Sequence, residues 1–188
     1  MDLFSRIAGI YDKLIRGFAL DTIKQFIQIK PDEFLVDLGG GTGRLCVELN
    51  RYANGCILID RSFEMLQQAA KKSKDFLLVQ GVGENLPFRK NSIPQMFAND
   101  TLHHIHYQSE TLSNCYSVLK PQGRLIIREY DSENWRTKFL IFFEWSLRFG
   151  STFLSPKQLE EICREIGFEV DWQRLSKSTY MLNAIKTI

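Results

Sequence analysis

The sequence predicts a doubly wound α/β sheet in a single domain spanning residues 1–188, and three observations carry that expectation. Short apolar runs, "FLVDL" (34–38), "CILID" (56–60), "FLLVQ" (76–80), "MFAN" (96–99) and "RLIIREY" (124–130), recur with helical segments between most of them. The first run ends in the glycine-rich stretch "DLGGGTG" (37–43), where a strand passes into a helix. Beyond residue 167 the alternation stops, and two strand candidates follow with too few residues between them for a crossover. Strands that alternate with helices need crossover connections, which imply a mostly parallel sheet covered on both faces.

At the start of the chain Leu3, Ile7, Ile10, Leu14 and Phe18 recur at helical spacing, with Phe4, Ala8, Tyr11 and Ile15 beside them. They predict an amphipathic helix. A second helix through Ile23, Phe26 and Ile27 ends before Pro31, so residues 1–30 form a helical cap. Within the alternating region, helices are expected over 43–52, over 62–73 with Ser62 as its cap, and over 109–120 starting at Ser109. The segment "SPKQLEEICREIG" has Ser155 as cap, Pro156 at the first helical position, Gln158 three residues after the cap and Gly167 as its stop. After it, "FEVDWQRLS" (168–176) and "TYMLNAIKTI" (179–188) pair antiparallel if they are neighbours.

Composition fits this plan. A chain of 188 residues that is 44% hydrophobic and 24% charged buries one good core. With 24 Lys and Arg against 22 Asp and Glu, the net charge of +2 gives no large footprint for nucleic acid or membrane. Lys71, Lys72 and Lys74 read as a solvated helix end. The cysteines Cys46, Cys56, Cys115 and Cys163 lie far apart without a C-x-x-C pair, which argues against a zinc site or disulfide framework and favours a reducing compartment. The N-terminus lacks the order of a signal peptide, and "FLIFF" (139–143), broken by Glu144, is too short to span a bilayer. A cytoplasmic location is the expectation.

The glycine stretch sits where an open parallel sheet binds its ligands, beyond the carboxyl ends of the strands. Two familiar glycine motifs fail there. A G-x-G-x-x-G fingerprint starting at Gly39 would need glycine at Arg44, and one starting at Gly41 would need it at Cys46; the P-loop pattern also needs glycine at Arg44. A phosphate cradle is thereby disfavoured. The next strand ends in Asp60, 17 residues after Gly43, close to the spacing at which an acid accepts both hydrogen bonds of a ribose diol. An ionised carboxylate suits that task because it only accepts.

In order and separation, "FLVDLGGGTGRL", "LIDRSFEMLQQA", "GENLPF", "NDTLHHI" and "VLKPQGRLIIREY" resemble the successive signatures of class I S-adenosylmethionine-dependent methyltransferases. The ubiquinone/menaquinone-biosynthesis type (methyltransferase type 11) is the nearest, and "IAGIYDKL" is similar to its N-terminal helix. The resemblance covers almost the whole chain. It implies a seven-stranded Rossmann-like sheet whose antiparallel last strand inserts beside the sixth, and S-adenosyl-L-methionine as cofactor.

The resemblance also implies roles. Gly39, Gly41 and Thr42 belong to the loop lining the methionine portion, with Asp37 positioning the loop or the ammonium; Asp60 holds the ribose; Arg61 and Met65 flank the adenine. Residues 82–84, here Val82, Gly83 and Glu84, cover the adenine edge, and Val82 stands where the family commonly has an acid. Asn99 faces the methionine segment, and Tyr11 closes over the cofactor or packs in the core. Residues 131–153 fall where the family builds a substrate lid, and Trp135, Phe139, Phe143 and Trp145 either line an acceptor pocket or pack a helix on the sheet.

His103, His104 and His106 invite a metal hypothesis, but adjacent residues cannot share one face of a helix or strand, so no metal is expected. His103 or His104 suits a general base, with a pKa near neutrality. The expected activity is in-line methyl transfer to a small, apolar or aromatic acceptor, without nucleic acid. A non-catalytic cofactor-binding regulator and an NAD-dependent oxidoreductase are the alternatives.

Overall fold

A computed structural model describes residue 26 and residues 30–146 and 150–187, with Arg51 described in its backbone only. Tyr11 and both helices expected in the N-terminal cap fall outside the described residues apart from Phe26. The parallel core consists of β1 (Leu35–Leu38), β2 (Cys56–Asp60), β3 (Phe76–Gln80), β4 (Ile93–Asn99) and β5 (Leu119–Tyr130). The helices between them are α1 (Arg44–Leu49), α2 (Phe63–Ala70) and α3 (Gln108–Val118). Then come α4 (Trp135–Ser146), α5 (Pro156–Ile166), β6 (Phe168–Arg174) and β7 (Thr179–Lys186).

The seven strands lie in the order β3-β2-β1-β4-β5-β7-β6. β7 inserts between β5 and β6 and runs antiparallel to both, in register Ile126↔Asn183 and Val170↔Ala184. The four-residue Leu175–Ser178 connection forbids a crossover, so the local chain length dictates this reversal.

Period-two alternation divides the sheet's side chains between two cores. Val36, Leu38, Met96, Ala98, Leu125 and Ile127 join Leu112 and Cys115 of α3 and Leu159 and Cys163 of α5. Leu35, Leu58, Phe97 and Ile126 join Leu45 and Leu49 of α1 and Leu66 and Ala69 of α2 on the other face. Both faces are therefore dry, as a parallel sheet requires.

Capping chemistry sets several boundaries. The Ser62 hydroxyl accepts from the Met65 amide and starts α2. In α5 the Ser155 hydroxyl accepts from the Gln158 amide while the Gln158 side chain accepts from the Ser155 amide, and Gly167 stops the helix at φ 113°. Helix α3 departs from expectation: it caps on Tyr107 without a side-chain bond, and Ser109 lies inside it.

A second correction concerns the cysteines. Cys46 on α1 and Cys56 at the head of β2 form a disulfide, against the expectation that none would pair. Helix-on-sheet packing brings them together, which sequence spacing alone could not reveal, and the cysteines no longer argue for a reducing compartment. Cys115 and Cys163 are free and buried.

Candidate active site

An open cleft with a cavity volume of about 180 Å³ lies beyond the carboxyl ends of β1, β2 and β4. The strand order reverses at β1, so this is the topological switch point of the sheet. Gly39, Gly41, Asp60, Arg61, Met65, Val82, Gly83, Glu84 and His104 all line it, as do Asp100, Thr101 and Ile105. Asp37, Thr42, Asn99 and His103 do not reach its wall.

The glycine turn is shaped by close approach. Gly39 has φ +66°, and a Cβ there would fall 1.9 Å from Thr101 Oγ1, so only glycine lets β1 and the β4 loop meet. Gly83 has the same restriction against α3, where an added Cβ would lie 2.4 Å from Thr111 Cγ2. The cleft floor is consequently bare main chain.

Asp60 is held by that main chain. Its Oδ2 accepts from the Gly41 amide at 2.9 Å and its Oδ1 from the Ser62 amide at 2.8 Å. The two amides fix the carboxylate's direction. Arg61 is exposed at the rim, and Gln80 Nε2 donates to its carbonyl at 3.1 Å. Met65 is buried on α2 with one side toward the cleft, and Val82 is 45% exposed.

Asp37 works from below the loop. It is 2% exposed, and a Cβ on Gly40 would lie 2.8 Å from its Oδ2. Burial, with the Asp60 charge second, pushes its carboxyl up to about 8, so it is largely protonated at neutral pH. Cys46 Sγ lies 3.6 Å from Asp37 Oδ2; being in a disulfide, that sulfur carries no proton to donate. Thr42 is also turned inward, its hydroxyl accepting from Lys72 Nζ at 3.0 Å. Asn99 Oδ1 accepts from Arg128 Nη1 at 3.4 Å.

Glu129 on β5 organises the opposite rim, a role the sequence reading missed. Its Oε1 accepts from the amides of Thr101, Leu102 and His103 at 3.1, 2.7 and 3.3 Å. Its Oε2 lies 2.6 Å from His103 Nδ1. One carboxylate thus holds the whole 3-10 turn Leu102–His104. The available signal was an acid within the apolar run "LIIREY". Asp100 was missed as well: it takes φ 50°, lines the cleft and pairs with Arg128 at 2.6 Å. Burial raises its pKa despite that arginine.

The two candidate bases differ in position and in electrostatics. His103 is buried behind the cleft and stacked on Phe153 at 4.3 Å. Burial favours its neutral form, but Glu129 and then Glu144 outweigh this and raise its pKa. His104 reaches the cleft, yet burial, His103 and Arg61 push its pKa down to about 3. A neutral imidazole on the wall accepts hydrogen bonds but takes up a proton poorly.

Adjacency in the chain does not separate these histidines, contrary to expectation. On a 3-10 turn their ring centroids come within 4.0 Å, and ligand atoms of His103, His104 and Glu144 lie within 4.8 Å of one another. These are the residues among those described that a metal ion could gather.

A bare glycine floor, an amide-anchored acid at the end of β2 and an open switch-point cleft define a nucleoside-binding α/β enzyme of the methyltransferase class. Comparison with known proteins makes that assignment specific. Residues 36–127 match the family model described as a methyltransferase domain. The chain is 31% identical to the demethylmenaquinone methyltransferase of Thermotoga maritima, across 93% of this chain and 90% of that protein. It is 36% identical to the demethylmenaquinone methyltransferase of Corynebacterium glutamicum over 69% of this chain and 59% of that longer protein. A crystal structure of an S-adenosylmethionine-dependent methyltransferase from Thermotoga maritima shares the fold at TM-score 0.81 and 22% identity, covering 97% of each chain. The chain belongs to this methyltransferase family, and its cofactor is S-adenosylmethionine.

Proposed function

We propose that this enzyme methylates a small quinone-type acceptor, related to the substrate in the name of its Thermotoga relative, by in-line displacement. The observation that carries the reading is that full-length likeness, together with a cleft whose lining includes Ile105 and the neutral His104. S-adenosylmethionine supplies a methyl carbon already activated by a sulfonium.

The chain's contribution is then positioning and exclusion of water, which lower a barrier by about 7 to 11 kcal/mol when geometry is well fixed. Asp60 orients a ribose diol, Gly39 and Gly41 admit the amino-acid end against main chain, and Met65 with Val82 flanks the base. Asp37 adjusts its proton to the charge above it. His104 accepts a hydrogen bond from an acceptor hydroxyl without needing to be protonated. The cytoplasm is its setting in this reading.

The test is incubation of the full chain with methyl-labelled S-adenosylmethionine and a soluble demethylated naphthoquinol. The expected result is one labelled methyl per acceptor. Absence of product from a quinol panel, with cofactor binding intact, would overturn the acceptor and revive the regulatory alternative. Binding of NAD in place of S-adenosylmethionine would favour the oxidoreductase, which the relatives do not support.

A further inference from the structure

Helix α4 is built inside out. Its deeply buried residues are Thr137 and Glu144, seven apart and so on one face. Trp135, Phe139, Phe142, Phe143 and Trp145 are 59–72% exposed. Neither sequence expectation for these rings holds: none lines the cleft and none packs on the sheet. They pair with each other instead, Trp135 with Phe139 and Phe142 with Trp145, each at 5.9 Å between centroids.

The polar face is held inward. Glu144 lies 3.9 Å from His103 Nε2 and 4.0 Å from His104 Nδ1. Rotating the rings into the protein would break that contact, so the aromatic face stays outward. At this exposure five such side chains present roughly 500 Å² or more of apolar surface, above what a lone soluble chain ordinarily leaves in water.

Charge selects the partner. On α4 the exposed ionic residues are Arg136 and Lys138, while its only acid is the inward Glu144. A twofold self-interface would bring the same cations of both copies together. Aromatic rings flanked by cations instead match the boundary between headgroups and acyl chains. The twelve-residue helix is about 18 Å long, short of the roughly 30 Å hydrocarbon core. Among the described residues no helix is long and apolar enough to cross a membrane.

We propose that α4 is an interfacial anchor that lies flat on a membrane leaflet carrying anionic lipid. A net charge of +2 concealed this, because the relevant cations are sided and few. The inference is independent of which acceptor is methylated.

The test is co-sedimentation of the full chain with vesicles of phosphatidylcholine alone and of phosphatidylcholine with phosphatidylglycerol, combined with tryptophan emission. Partition onto the anionic vesicles should be at least tenfold stronger and should shift the emission to the blue. Phe139→Glu with Phe143→Glu should reduce it at least tenfold while leaving S-adenosylhomocysteine affinity unchanged, which reports a folded chain. Arg136→Gln with Lys138→Gln should abolish only the preference for anionic lipid. Equal sedimentation of wild type and the Phe139/Phe143 variant would overturn the proposal. So would absence of lipid binding accompanied by a concentration-dependent dimer that this variant disrupts, which would give the face to a second copy.

Discussion

Replacing Asp60 by alanine tests the cofactor assignment most directly. Both carboxylate oxygens are aimed by backbone amides, and in the proposed role each accepts one ribose hydroxyl. Hydrogen bonds to a charged partner contribute about 1.5 to 3 kcal/mol each, which makes the direct loss about 3 to 6 kcal/mol. One compensation works against it. The Asp60 charge helps hold Asp37 protonated, so its removal lets Asp37 ionise more readily and attract the cationic end of the cofactor. The net loss should fall in the lower half of the range, a roughly hundred- to thousandfold weaker affinity. Calorimetry with S-adenosylhomocysteine measures it without turnover, and the melting temperature reports whether the freed Gly41 and Ser62 amides disturb the fold. Asp60→Asn, which keeps one acceptor, should fall between the two. A dissociation constant within about threefold of wild type, in a normally melting variant, would refute the ribose role.

Other consequences are equally measurable. Asp37 has a folded pKa of about 8, above its unfolded value, so the stability it contributes is fully present below about pH 4 and is lost as pH rises through about 8; Asp37→Asn should flatten that fall in pH-dependent melting. Cofactor binding should lower the same pKa and release protons near pH 7.5, visible as a buffer-dependent calorimetric enthalpy. Glu129→Ala strands three amides and the His103 ring and should cost about 3 to 5 kcal/mol in chemical denaturation. Gly39→Ala meets both a positive φ and Thr101 and should lower stability by more than about 1 kcal/mol with weaker cofactor binding. Val82→Asp restores an acceptor at the cleft edge and should tighten cofactor binding by about 0.5 to 1.5 kcal/mol.

The amino-acid sequence by itself determined the strand order, the antiparallel end and the glycine turn and Asp60 that line the cleft. These depend on local signals: period-two apolar runs, the Ser155 capping box, the four-residue Leu175–Ser178 connection, and a glycine turn followed by Asp60. Each is written in residues close together in the chain. Tertiary structure alone decided the relations between distant side chains. Glu129 finds the Leu102–His104 turn because β4 and β5 are neighbours. Cys46 meets Cys56 because α1 packs on β2, and the His103 and His104 rings converge on Glu144 of α4. The outward turn of the α4 rings belongs here too: an apolar run reads the same whether it faces a core or a surface, and only its neighbours settle which face is buried. Periodicity is a property of the chain, whereas burial and charge compensation are properties of what lies across the fold from it.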